Sequence, residues 1–282
     1  MAKSKKEKKD RKSESAPAAA PKPNFIAWSS GNYVTVGAAF QLMSELLCEA
    51  VDLRPGQKVL DVAGGSGNAA LAAARRWCKV TGTDFIPYLV DAAKGRAKAE
   101  GLDIKFQVAD AENLPFDDNH FDVVLSAIGV MFAPNQVKAA SELLRVCRPG
   151  GKIGLTCWTP TSSVAQMSGA IGKHLPPPPP GAMPPVAWGA EQRLRQLFGT
   201  QAASMHINIR THLFKHPTPA GYVQYVKDNY GPTMLAFKMM DKETNDKVTE
   251  ELTAQVTAAN ISGDSTLVVP GEYAEIVIVK AA

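Results

Sequence analysis

Val59-Leu60-Asp61-Val62-Ala63-Gly64-Gly65-Ser66-Gly67 is the stretch from which the rest of the chain can be read. Apolar residues around one carboxylate lead into a run of small residues, the pattern of a short strand that ends in a loop. Glycines in such a loop let the backbone approach a ligand closely, because they carry no Cβ. Ala-rich sequence follows over residues 68–77 and predicts a helix. A second β-rich segment, Val80-Thr81-Gly82-Thr83-Asp84, ends in another carboxylate. In a parallel sheet that acid stands beside the glycine loop, where it can accept both hydrogen bonds of a ribose diol.

The alternation of strand and helix continues outward. Strands are predicted over 58–62, 79–83 and 104–108, with a helix opened by Pro87 and closed by Gly101 between the last two. The continuous apolar run 121–126 suits a central parallel strand buried on both faces. A helix over 135–147 presents Val137, Ala140, Leu144 and Cys147 as its buried stripe, and Arg148-Pro149-Gly150-Gly151 turns the chain into a fifth strand over 152–158. Upstream, Val36, Phe40, Met43, Leu47 and Val51 recur at the helical period until Arg54-Pro55-Gly56 stops them. Phe25, Trp28 and Tyr33 mark the preceding segment as one that docks.

Gly65-Ser66-Gly67-Asn68-Ala69-Ala70 also fits the dinucleotide fingerprint G-x-G-x-x-A, which keeps a nicotinamide-dependent oxidoreductase open as an alternative. Asp61 counts against it, since a pyrophosphate-binding turn gains nothing from a carboxylate, whereas a sulfonium ligand with a free amino group is complementary to one. A third acid, Asp110, follows the third strand in Asp110-Ala111-Glu112-Asn113-Leu114-Pro115-Phe116. Each acid alone also suits a helix cap or a turn. Three at the carboxyl ends of successive strands fit a ligand presenting an ammonium, a ribose and an adenine amine in a row.

On these motifs residues 57–158 resemble the class I S-adenosylmethionine-dependent methyltransferases, and within them the C-methyltransferases of ubiquinone and menaquinone biosynthesis. Phe121-Asp122-Val123-Val124-Leu125-Ser126 and Arg148-Pro149-Gly150-Gly151 match that group's fourth-strand and fifth-strand signatures. The resemblance implies S-adenosylmethionine as cofactor, with Asp61, Ala63, Gly64, Gly65, Ser66 and Gly67 lining its methionine part. It further implies that Asp84 binds the ribose hydroxyls, that Phe85 flanks the adenine, and that Asp110 and Ala111, with Glu112 beside them, meet the adenine edge. Ser126 and Ala127 join the expected cofactor contacts, and Trp28 and Tyr33 are expected to close over them. Ala127-Ile128-Gly129-Val130-Met131-Phe132 lacks the polar residues of the quinone enzymes, an arginine among them, so the resemblance extends to the cofactor and not to a quinone acceptor. The fold expected is α/β: a Rossmann-like, doubly wound, mostly parallel seven-stranded sheet with an antiparallel closing strand.

Residues 24–282 are expected to form one methyltransferase domain: an N-terminal cap helix in 24–56, the cofactor-binding core in 57–158, and a substrate or lid insert with closing strands in 159–282. The insert begins after Pro160, and its Pro-rich segment 176–185 reads as an extended loop, either linker or lid. Helices near 191–198 and from Pro219, a helix presenting Val248, Leu252 and Val256, a strand across 205–214 and a closing strand over 273–279 follow. Met167, Trp188, Tyr222, Tyr225, Tyr230 and Phe237 are expected, with the N-terminal aromatics, to build an acceptor pocket. Methyl transfer from a sulfonium is an in-line displacement, for which alignment in a dry site supplies up to roughly 7–11 kcal/mol. A base is needed only for a hydroxyl, amine or acidic carbon. Of His120, His174, His206, His212 and His216, His174 is the candidate, preceding the Pro-rich loop.

Charge divides unevenly. Residues 1–23 hold eight Lys or Arg against three acidic residues, while the remaining body holds 23 basic and 24 acidic. The tail therefore reads as a disordered Lys-rich arm that offers at most a weak contact to an anionic surface, and the body has no electrostatic footprint for nucleic acid. Cys48, Cys78, Cys147 and Cys157 are too irregularly spaced for a zinc cluster or disulfide framework and read as reduced thiols in a cytoplasmic protein. No apolar run is long enough for a membrane span, and no metal site is expected. The expected partner is a small molecule. A protein that binds the cofactor without catalysis is the remaining alternative.

Overall fold

The computed structural model describes residues 25–282, and the Lys-rich arm expected over 1–23 lies outside them. Three N-terminal helices, α1 (Phe25–Ser30), α2 (Tyr33–Ala38) and α3 (Gln41–Ala50), precede the alternating part. There β1 (Lys58–Val62), α4 (Asn68–Arg75), β2 (Lys79–Asp84), α5 (Pro87–Ala99), β3 (Ile104–Val108), β4 (Phe121–Ala127), α6 (Gln136–Val146) and β5 (Cys147–Trp158) follow one another. Five further helices and two long strands complete the described chain: α7 (Ser163–Gly172), α8 (Glu191–Phe198), β6 (Ala202–His216), α9 (Pro219–Asn229), α10 (Gly231–Met239), α11 (Lys242–Ala258) and β7 (Leu267–Lys280).

The strands form one seven-stranded sheet in the order β3-β2-β1-β4-β5-β7-β6. β1 to β5 pair in parallel, and β7 runs antiparallel to both its neighbours, β5 and β6. This is the doubly wound sheet with an antiparallel closing strand that the alternation predicts. The order reverses between β1 and β4, which opens a crevice above their carboxyl ends, the place where such sheets bind ligands. Central strands are apolar on both faces because both faces are covered. Leu143, Leu144, Ile153, Leu155, Ile276, Trp188 and Phe198 pack on one side, and Leu47, Val51, Ala69, Ala73, Val123 and Leu125 on the other. A separate core joins α7, α9, α10 and α11 through Met167, Val223, Phe237, Val248 and Leu252.

Several local expectations change. The single helix expected through Val36 and Val51 is broken: α2 ends at Ala38 and α3 starts at Gln41, with Asn32 capping α2 by accepting a hydrogen bond from Thr35 N. The break turns the Phe40 ring toward Trp158 and His212, with centroids 5.7 and 5.2 Å away, and a periodicity count does not register this tertiary demand. Val137 is 62% exposed, because the buried face of α6 runs through Gln136, Ala139, Ala140, Leu143 and Leu144 instead. Arg148-Pro149-Gly150-Gly151 lies within β5 as an irregularity, since Phe121 pairs with Cys147 and Val123 with Lys152. Helices α7 and α10 were not foreseen. Ser162 caps α7 by accepting from Ala165 N, and Pro232 stands in the first turn of α10, where its missing N–H costs nothing.

The Pro-rich segment has neither strand nor α-helix over 176–184 and is largely exposed. Gln136 Nε2 ties its end to α6, donating to the carbonyls of Met183 and Pro184. All four cysteines are buried and free. Among the described residues no helix is long and apolar enough to cross a membrane, and no cluster of His, Cys, Asp or Glu could hold a metal ion.

Candidate active site

The crevice holds a cavity of about 230 Å³ that begins at the tips of β1 and β2 and continues past β4 toward β5 and β6. At its polar end stand two carboxylates. Asp61 is fully buried; its Oδ2 accepts a hydrogen bond from Ala70 N at 2.9 Å, while Oδ1 has no partner among the described residues. Burial pushes this carboxyl up to about 7, the Ala70 N–H opposing the rise and the charge of Asp84 adding to it. Asp84 closes β2. Its Oδ2 accepts from Gly65 N and its Oδ1 from Ile86 N, each at 2.9 Å, and burial pushes it up to about 6 against those N–H groups.

The loop between β1 and α4 is shaped by these acids. A Cβ on Gly64 would run into the Asp61 carboxylate, so only glycine fits there. Gly65 has φ +56 with open space above it, which leaves the backbone bare toward the cavity. Two residues without glycine's freedom share this left-handed conformation, Ala63 (φ 52) after β1 and Ile128 (φ 52) after β4, and both line the cavity. Paired strain on the two sides of the strand-order reversal marks a site at which geometry is held against local preference. From outside, Arg96 brackets the loop. Its guanidinium donates to the Ser66 carbonyl, the Asn68 side chain and Gln41 Oε1 at 2.9, 2.7 and 2.9 Å.

Of the residues singled out from sequence, Tyr33, Asp61, Ala63, Gly64, Gly65, Ser66, Asp84 and Ala127 line the cavity together. Gly67, Phe85, Asp110, Ala111, Glu112 and Ser126 are not part of its lining. Phe85 packs edge-on against Phe25 with centroids 6.0 Å apart. Asp110, Ala111 and Glu112 form a half-buried turn in which Asp110 Oδ1 accepts from Glu112 N, and Glu112 Oε1 accepts from Asn135 N. Ser126 Oγ donates to Val62 O and accepts from Val130 N, which commits it to joining β1 and β4. Tyr33 accepts from Gly231 N through its hydroxyl and packs on Trp28 and Tyr230; burial raises its phenol well above the usual range.

Beyond Ala127 and Ile128 the walls turn aromatic and aliphatic: Phe40, Trp158, Phe214, Tyr222, Tyr225 and Met167. Of the residues expected to build an acceptor pocket, Met167, Tyr222, Tyr225 and Tyr230 line the cavity. Trp188 and Phe237 do not. Trp188 is fully buried against Phe198, and Phe237 lies in the helical core with Lys227 Nζ 4.4 Å from its ring centroid. Phe40, Trp158 and Phe214 were missed, because their convergence depends on three elements far apart in sequence. His174 ends outside the cavity lining, its Nε2 3.6 Å from Glu251 Oε2, so the fold does not bring it to the site. The described lining contains no His, Lys, Arg, Cys or Glu, and burial raises the phenols of Tyr222, Tyr225 and Tyr230.

These features suit a nucleoside ligand that also carries a cationic group, held at the carboxyl edge of a Rossmann-like sheet. An uncommitted buried carboxylate oxygen, Asp61 Oδ1, suits an ammonium and would repel a pyrophosphate. Comparison with known proteins agrees. The methyltransferase-domain family matches residues 60–155. An uncharacterized protein of Mycobacterium tuberculosis is 38% identical over 212 residues, covering 74% of this chain and 77% of its own. The ubiquinone/menaquinone biosynthesis C-methyltransferase UbiE of Laribacter hongkongensis is 34% identical over 144 residues, covering 47% of this chain and 57% of its own. In fold, a putative methyltransferase from Bacillus halodurans superposes with a TM-score of 0.58 at 18% identity, over 85% of this chain and 99% of that one. The chain belongs to the class I S-adenosylmethionine-dependent methyltransferases, and its cofactor is S-adenosylmethionine.

Proposed function

We propose that this methyltransferase acts on a carbon or oxygen atom of a small, largely apolar or aromatic acceptor. One observation carries the proposal: a single cavity joins two buried carboxylates at one end to an aromatic chamber at the other. In this assignment Asp61 takes the amino group, Ala63 to Gly67 present their backbone to the methionine part, and Asp84 takes the ribose hydroxyls. Phe85, Asp110, Ala111 and Glu112 border the adenine from outside the cavity lining, and Ser126 and Ala127 set the floor beneath the reacting centre. Trp28 and Tyr33 roof it.

When bound, S-adenosylmethionine supplies a methyl group activated by a sulfonium. The protein's own contribution is geometric. Ile128 and Phe132 lie at the boundary between the two ends, Phe40, Trp158 and Phe214 wall the acceptor side, and the enclosed apolar surface excludes water. With no base in the described lining beyond the two acids of the cofactor end, the acceptor atom must bring its own nucleophilicity, as a phenolate, an enolate or an electron-rich ring carbon does.

A screen of phenols, quinols and polyketide-like acceptors with labelled cofactor tests this. Label transferred to the carbon or oxygen of an aromatic acceptor is expected. Transfer confined to charged amines or carboxylates would defeat the proposal.

A further inference from the structure

Two buried hydroxyls, one of them in the cavity wall, have no hydrogen-bond partner among the described residues. Ser44 of α3 is fully buried and lines the cavity, yet its Oγ has no hydrogen-bond partner among the described residues. Thr156 of β5 is buried as deeply, beside the wall residues Ala127 and Trp158 but not itself in the lining, and its Oγ1 is equally unpartnered among the described residues. Nearly all buried polar groups in folded proteins find partners, so two orphans in one region call for a physical reason.

Register places both on one face. Thr156 pairs with Ala127 of β4, and directly paired residues of neighbouring strands point to the same side of the sheet. Ala127 lines the cavity, and so does Trp158, two residues beyond Thr156 and on the same side. Helix α3 packs on that side: a Cβ on Gly154, two residues before Thr156, would touch Val51 and Leu47. Ser44 sits one turn before Leu47 on the same helix face. With β4 between β1 and β5, Thr156 stands two strands away from Asp61, and its neighbour Trp158 belongs to the aromatic end.

Resting on the acceptor assignment above, we infer that Ser44 and Thr156 form a subsite for one neutral oxygen, a hydroxyl or carbonyl, carried by the acceptor away from the atom that is methylated. A hydroxyl both donates and accepts, so the pair suits either kind of oxygen. The charge nearest in register is already matched. Glu275, paired with Thr156 on β7, is held by Arg210 Nε at 2.8 Å, which leaves no net charge to recruit an ammonium or a carboxylate.

The test uses the full chain loaded with S-adenosylhomocysteine and titrated with 2-naphthol and with naphthalene. The wild type is expected to favour 2-naphthol over naphthalene about tenfold more strongly than the Ser44→Ala/Thr156→Val double variant, equivalent to about 1.4 kcal/mol. Ser44→Ala alone should remove part of that preference, and none of the variants should change S-adenosylhomocysteine affinity. Both substitutions delete unpartnered groups, so melting temperatures should not fall. A naphthol preference that is the same within twofold in wild type and variants would show that the hydroxyls hold only water and overturn the subsite. If neither probe binds the loaded wild type, the aromatic-acceptor assignment is overturned, and the subsite with it.

Discussion

The two ends of the cavity are built by opposite means. At the end assigned to the cofactor a handful of atoms set the geometry: Asp84 is fixed by the N–H groups of Gly65 and Ile86, Asp61 by that of Ala70, and Gly64 between them has no room for a side chain. At the end assigned to the acceptor the surface is assembled from side chains of the α2–α3 turn, β5, β6, α7 and α9, with no ionised group among those named and no single dominant contact. Binding concentrated in few atoms fails abruptly when one is changed. Binding spread over many rings shifts by degrees, which is how a family retains one cofactor while its acceptors diverge.

The sharpest break should come where the two ends meet. A Cβ on Gly129 would strike the Ala63 carbonyl, so Gly129→Val is expected to destabilise the fold by about 3 kcal/mol or more, measured by urea unfolding. A loss below about 0.5 kcal/mol would mean that the junction is soft.

Next in size is pH. Asp61 and Asp84 stand at about 7 and about 6, above the usual 3.8 of a carboxyl, so the fold favours their protonated forms. Their contribution to cofactor-free stability is therefore complete below about pH 4 and lost as pH rises through 6 to 7, which thermal melts would register. Cofactor affinity should move the other way. An ammonium needs the ionised carboxylates, and lowering the pH from about 7.5 to 5 should weaken S-adenosylmethionine binding by roughly tenfold or more.

Smaller effects separate the two ends. Arg96→Met removes the bracket on Ser66 and Asn68 and should weaken cofactor binding about three- to tenfold, the worth of one or two part-exposed hydrogen bonds, with acceptor KM unchanged. Phe214→Leu should do the reverse, raising acceptor KM a few fold and leaving cofactor affinity alone. Equal responses of both constants to either change would dissolve the distinction.

The same division governs what the sequence disclosed. The loop and its acids could be read from residues 59–84 because strand, turn and carboxylate lie in one continuous segment, and chemistry that local leaves a local pattern. The chamber left none. Phe40 resembles a core position of a continuous helix, Trp158 the end of a strand, and Phe214 one alternate residue of another; only the packed sheet brings them within about 6 Å of each other. Trp188 and Phe237 have the composition of a pocket and serve as core, since an aromatic ring suits either use. His174 stood beside a Pro-rich loop expected near the site, and neither His174 nor any residue of 176–184 lines the cavity.

The most direct measurement is a calorimetric titration of S-adenosylmethionine into Asp61→Asn and Asp84→Asn proteins verified as folded by circular dichroism. Each substitution removes a charge-assisted contact, so affinity should fall by roughly 10- to 100-fold in both. Parent-like affinity in both would contradict the assignment of the two strand-tip carboxylates to the cofactor.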